Sequence, residues 1–136
     1  MTIAKEFKKI FQQLMQDSVA HIVVGGSDIT IRVFEGGSMF SLSTDVYFGG
    51  NFIPKSVRNC LTKQPPFTRD STIKTFLTVD EPNFHIYLNF LGHLDRMNKE
   101  SIRLILEEFG RLADEWHLYL DENDKNDLVY IHVKPK

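Results

Sequence analysis

A chain of 136 residues, 42% hydrophobic and 25% charged, has length for one core but not two, and its composition excludes a disordered or fibrous polymer. The net charge of -2 gives no general pull toward nucleic acid or an anionic membrane, and the single cysteine, Cys60, excludes an internal disulfide and a cysteine-cluster zinc site. No run approaches a membrane span, and Met1 to Lys8 is amphipathic without the apolar core of a signal peptide, so one cytoplasmic domain over residues 1–136 is expected.

Residues 2–16 set Ile3, Phe7, Ile10, Phe11 and Leu14 on one helical face, which predicts a first amphipathic helix. Three extended segments follow, Ala20 to Val24, Asp28 to Phe34 and Met39 to about Phe48, all rich in β-branched or aromatic residues. Gly25-Gly26-Ser27 and Glu35-Gly36-Gly37-Ser38 separate them and supply the positive φ of tight turns, so an antiparallel meander is predicted. From Gly49 to Asp70 the pattern breaks. Pro54 can begin a short helix through about Thr62, and Pro65-Pro66 ends it. This stretch carries Lys55, Arg58, Lys63 and Arg69 with Phe52 and Phe67, and reads either as a crossover or as a contact surface.

Two more strands are predicted, Thr72 to Val79 and Asn83 to Leu91, around the turn Asp80-Glu81-Pro82. In the second, Phe84, Ile86, Leu88 and Phe90 oppose His85, Tyr87, Asn89 and Leu91; neither face is fully polar, which places the strand centrally or at an interface. The strongest periodicity runs from Asn98 to Leu120, where Ile102, Ile105, Leu106, Phe109, Leu112, Ala113, Trp116 and Leu120 form one helical face. Asn98 can cap this helix, and Met97 can staple onto Ile102. Arg103, Glu107, Arg111 and Glu115 mark its wet face. An acidic loop, Asp121 to Asp127, then leads to a short final strand, Leu128 to Val133. The expected fold is α+β: a twisted antiparallel sheet of five to six strands flanked by an N-terminal helix, a short middle helix and a long C-terminal helix.

Catalytic signatures are missing. The acidic loop fails as a calcium loop because Asn126 stands where glycine is required and His132 where a bidentate glutamate belongs. The glycine pairs make no phosphate cradle, no serine sits in a nucleophile elbow, and the histidines lack metal-ligand spacing. No cofactor, metal or catalytic residue is therefore expected. One polar site is conceivable: His85 and Tyr87 with Tyr130 and His132 on one sheet face. The eleven phenylalanines are numerous for one small core and read either as aromatics buried in a dimer or against a peptide, or as a phenylalanine-rich core with a few rings partly exposed.

The order of elements, with Ile86-Tyr87-Leu88-Asn89-Phe90-Leu91 entering Asn98-Lys99-Glu100-Ser101-Ile102 and then Leu106 to Trp116, resembles the class I type III secretion chaperones, the Tir-chaperone-like family. The resemblance spans roughly residues 2–120. It implies a cytoplasmic bacterial homodimer without enzymatic activity that binds an extended segment of a secreted effector, with no nucleic acid and no membrane insertion. By position it places cargo on Phe7, Phe11, Phe34 and Phe40. The dimer contact would fall on Pro54 to Lys63 and Thr72 to Val79, with Val57, Leu61 and Phe76 as its residues. Two features depart from the family pattern, a calculated pI near 6.2 where members are often strongly acidic, and the extra final strand. A regulatory or adaptor domain of the same fold, or a small-ligand protein or enzyme built on the His/Tyr cluster, are the alternatives.

Overall fold

The computed structural model describes residues 9, 12–14 and 16–133, with the backbone alone for 125–133. Residues 9, 12–14 and 16–17 are helical, as the first amphipathic segment predicts. Ser18 stops this helix with a φ of 61° while its N–H still reaches the Leu14 carbonyl at 3.0 Å. The chain then enters β1 (Val19–Val24), β2 (Ser27–Phe34) and β3 (Met39–Phe48), the expected meander. In the first hairpin Val24 pairs with Ser27, so Gly25 and Gly26 form a two-residue turn, with Gly25 at a φ of 61°.

The crossover holds two short helices where one was expected. Pro54 caps α1 (Lys55–Cys60), but Pro65 and Pro66 open a further turn, α2 (Pro66–Arg69), rather than only closing the first. The reason is that proline fits the first helical position, where its missing N–H has no intrahelical use. Strand β4 (Phe76–Asp80) begins later than the expected Thr72. There the Ser71 hydroxyl bonds both the N–H and the carbonyl of Ile73 at 3.1 Å, so local side-chain bonds displace the ladder. Strand β5 (His85–His93) lies between β3 and β4, giving the antiparallel order β1-β2-β3-β5-β4. Its expected central place is the one observed.

Helix α3 (Lys99–Val133) crosses one face of this sheet. Asn98 caps it: its Oδ1 accepts from the Ser101 N–H at 2.8 Å and from the Ser101 hydroxyl at 2.9 Å. Asn98→Ala is expected to lower stability by about 1 kcal/mol, read from the shift of a urea midpoint; an unchanged midpoint would count against the cap. Ile102, Leu106, Phe109, Leu112, Ala113, Trp116 and Leu120 are all buried, so the dry face is the one the periodicity defines. On the wet face Arg103 joins Glu107, as the four-residue step predicts, and also Glu100, whereas Arg111 takes Glu108 at 2.8 Å instead of Glu107 or Glu115.

The helix corrects one expectation outright. Residues 121–127 are not a loop and Leu128–Val133 is not a strand; both continue α3, so the sheet has five strands. No glycine or proline interrupts the chain between Gly110 and Pro135, and helix propagation needs no more than that. The β-branched residues near Val133 carry only a weak local preference, which an established helix overrides.

The core lies between the inner sheet face and α3, with α1 closing one side. Ile22, Ile29, Leu42, Val46, Ile86 and Leu88 meet Leu106, Phe109 and Leu112 there. Ser27 donates to Asp114 Oδ1 at 3.1 Å, which ties the first hairpin to the helix. Gly110 lets β1 and α3 approach: a Cβ on it would lie 2.5 Å from Val24 Cγ1.

Candidate functional site

Alternation in β3 fails at one point, and the outer face depends on it. The register shifts between Asp45 and Tyr47, so Val46 and Tyr47 are both buried and Phe48 turns outward. Asp45 sustains this bulge by accepting the Tyr47 N–H on Oδ1 at 3.1 Å. Its other oxygen lies 2.9 Å from His85 Nδ1. The His85 ring then stacks between Phe48, with centroids 4.6 Å apart, and Tyr87 at 5.6 Å. Burial, reinforced by the charges of Asp45 and Asp80, pushes the Tyr87 hydroxyl above its usual pKa.

Of the proposed His/Tyr cluster the structure brings together only this half. Tyr130 and His132 belong to the helix and not to a sheet strand beside His85. Among the described residues no group of three or more His, Cys, Asp or Glu could hold a metal ion. Cys60 is buried, donates to the Ser56 carbonyl at 3.3 Å, and has its thiol pKa raised by burial, as suits a packing residue.

Among the described residues no element covers the outer sheet face, which is apolar in patches. Val23, Phe34, Phe48, Phe76 and Leu91 are exposed on it, and among the described strand residues Arg32 and histidines are its basic groups. Strand β4 forms one edge of the sheet and β1 the other, and among the described residues no further strand pairs with either.

The residues picked by sequence fall in different places. Phe7 and Phe11 lie outside the described residues. Phe34 is exposed at the end of β2. Phe40 is 1% exposed and packs on Phe90 with centroids 5.8 Å apart, so its ring lies in the core of this chain. Val57 is buried within the chain, Leu61 is half-buried, and Phe76 is 51% exposed on the edge strand. The inward turn of Phe40 is legible in hindsight, since it shares parity with Leu42 on β3. Phe48 faces outward because the bulge breaks the alternation that residue order alone implies.

A second feature lies on the other side of β4. A groove of about 610 Å³ runs between the crossover and the helix, lined by Leu61, Leu77, Val79, Leu88 and Trp116. Trp116 meets the Phe67 ring edge-on at 5.2 Å. Phe67 is half-buried against this helix, whereas Phe52 is exposed.

No family model matches the sequence, and no curated protein does. Solved structures match in fold. One chain of the ExoT–SpcS complex from Pseudomonas aeruginosa superposes with a TM-score of 0.51 at 17% identity, covering 81% of this chain and 95% of that one. A chain of the HopA1–SchA chaperone–effector complex superposes with a TM-score of 0.54 at 9% identity, over 86% of this chain and 98% of that one. The α+β fold expected from sequence is therefore shared with chains of these complexes. No helix of the described residues is long and apolar enough to cross a membrane.

Proposed function

We propose that this protein is a non-catalytic, dimeric type III secretion chaperone that binds an extended segment of a secreted effector in the bacterial cytoplasm and keeps it competent for secretion. The observation that carries this reading is the fold shared with chains of the ExoT–SpcS and HopA1–SchA complexes, the second a chaperone–effector complex. The sheet edges, which no further strand covers among the described residues, and the exposed apolar side chains beside them supply the physics. An edge strand can add a peptide strand through backbone hydrogen bonds, and apolar side chains can hold its anchors. Phe34 is the cargo contact we retain from the sequence reading, and Phe76 on β4 the dimer contact.

The test is to purify the tagged protein from its native cytoplasm, determine the protomer count, and identify any bound protein by mass. The expected result is two copies holding a segment near the N-terminus of a secreted protein, with that segment open to amide exchange when bound. Phe34→Asp is expected to weaken capture at least tenfold, and Phe76→Asp to yield monomers. A monomer without a protein partner would sink the reading; a partner already folded would favour the regulatory or adaptor role instead.

A further inference from the structure

The outer sheet face, where the proposed cargo contact Phe34 lies, is divided by charge along its strands. The register sets His21, Thr30, Ser43 and Asn89 in one row across the sheet, with no Lys, Arg, Asp or Glu among them. On one side of this row Arg32 stands between Val19 and Ser41, with Glu35 in the turn beyond, so the signs balance. On the other side come Asp28, Asp45 and Asp80, set opposite Val23, Tyr87 and His85. Asp28 and Asp45 also border a cleft of about 350 Å³ between this end of the sheet and α3, which Asp114, His117 and Leu118 complete. Among the described residues no Lys or Arg lines it, Asp28, Asp80 and Asp114 are in no ion pair, and Asp45 pairs only with His85. His117 is committed elsewhere: its Nδ1–H donates to the Val46 carbonyl at 3.0 Å, and its Nε2 faces Asp121 at 3.6 Å. Beside the carboxylates, Val23, Phe48 and Leu118 are at least 60% exposed.

We propose that the extended cargo segment presents an arginine or lysine to this acidic end, about six residues from the apolar anchor that meets Phe34. Phe34 and Asp28 stand six residues apart on the outer face of β2. An extended segment laid along that strand covers the same distance, about 20 Å, in the same number of residues, and an even step keeps both side chains on one face. The basic side chain would lay its methylene stem on Phe48 or Leu118 and set its charge among Asp28, Asp45 and Asp114. Carboxylates without counter-charges draw a cation to this end, and Arg32 repels it from the other, so the pattern fixes the register of the segment. A metal ion is the weaker occupant, because among the described residues no three such groups converge to hold one. A second copy is also disfavoured: Asp28, Asp45 and Asp114 lie outside the segments assigned to the dimer, and the dimer contact Phe76 stands at the opposite end of β4 from Asp80. The inference deepens the chaperone reading and rests on it for the presence of a segment on this face.

The experiment follows the fluorescence anisotropy of labelled serine-based peptides against the whole protein at low salt. Each peptide has a central phenylalanine and, six positions away on either side, arginine, citrulline or glutamate. The arginine peptide is expected to bind saturably, with the neutral citrulline peptide and the glutamate peptide at least tenfold weaker. Asp28→Lys changes an exposed residue and, at an unchanged urea midpoint, is expected to weaken the arginine peptide at least tenfold while strengthening the glutamate peptide. Asp114→Asn keeps an acceptor for the Ser27 hydroxyl and is expected to weaken the arginine peptide alone. Equal binding of the arginine and citrulline peptides, no saturable binding of any, or an Asp28→Lys variant that weakens all three alike would overturn the proposal. So would Asp28→Lys changing the protomer count with the peptide order intact, which would assign this end to a second copy. The two readings fail separately. Capture of a secreted protein that ignores Asp28→Lys keeps the chaperone and removes the basic contact, while arginine-selective binding with no captured protein does the reverse.

Discussion

Phe109→Ala is expected to lower the free energy of unfolding by about 3–5 kcal/mol. The ring is 0% exposed and among the largest fully buried side chains, at the middle of the helix face that covers the sheet. Truncation removes most of its apolar area and leaves a void that the strands can close only by distorting their ladder. Against a typical total of about 5–15 kcal/mol, that loss would remove a large share of the stability. Urea unfolding should show a much lower midpoint at unchanged slope. Leu104 is the internal control: it lies on the same helix, is 53% exposed, and on replacement by alanine should cost no more than about 0.5 kcal/mol. Equal losses for the two would mean that the helix is rotated away from the orientation described.

The second large effect comes from Gly110, where two tendencies conflict. A glycine inside a helix is worse than alanine by about 0.5–1 kcal/mol, so Gly110→Ala in free space would stabilise. The space is not free. The new Cβ would stand 2.5 Å from Val24 Cγ1 and 3.0 Å from Val24 Cβ, and overpacking of this kind costs about 1–3 kcal/mol. A net loss of about 1 kcal/mol or more is the expected result, rising for Gly110→Val. Val24→Ala removes the tighter of the two contacts, so a double-mutant cycle in urea should give a coupling of about 1 kcal/mol in favour of the pair. Zero coupling would show that β1 and α3 do not meet there.

Most of the fold is legible in residue order because most of it follows two simple periods. The meander, the central place of β5 and the dry face of α3 come straight from alternation, paired glycines and helical spacing. Each failure has a local cause. Leu128 to Val133 reads as a strand on composition, yet nothing upstream stops the helix, and propagation outweighs a short β-branched run. The delay of β4 comes from Ser71 bonding its neighbours' backbone, a competition that no hydropathy pattern records. The candidate site was less legible. Phe40 was chosen for being aromatic, whereas parity decides whether an aromatic side chain faces the core or solvent. The groove joins Lys63, Arg69 and Lys74 of the crossover to Trp116 of the helix, and that meeting exists only once α3 has docked.

The strand order also bears on how the sheet is put together in time. β1, β2 and β3 are neighbours in sequence and close over short turns, as do β4 and β5, so two hairpin units can form early. The seam between them is β3 against β5, where Asp45 and His85 meet across 40 residues of chain. Loop closure must precede any reward from that pairing, so the seam is expected to close after either hairpin unit, and until it closes β3 and β5 each present an unpaired edge. The acidic bulge residue that bonds His85 thus sits on the last joint to be made. A cell producing this protein has its greatest exposure to misassembly in that interval, before the two halves have met.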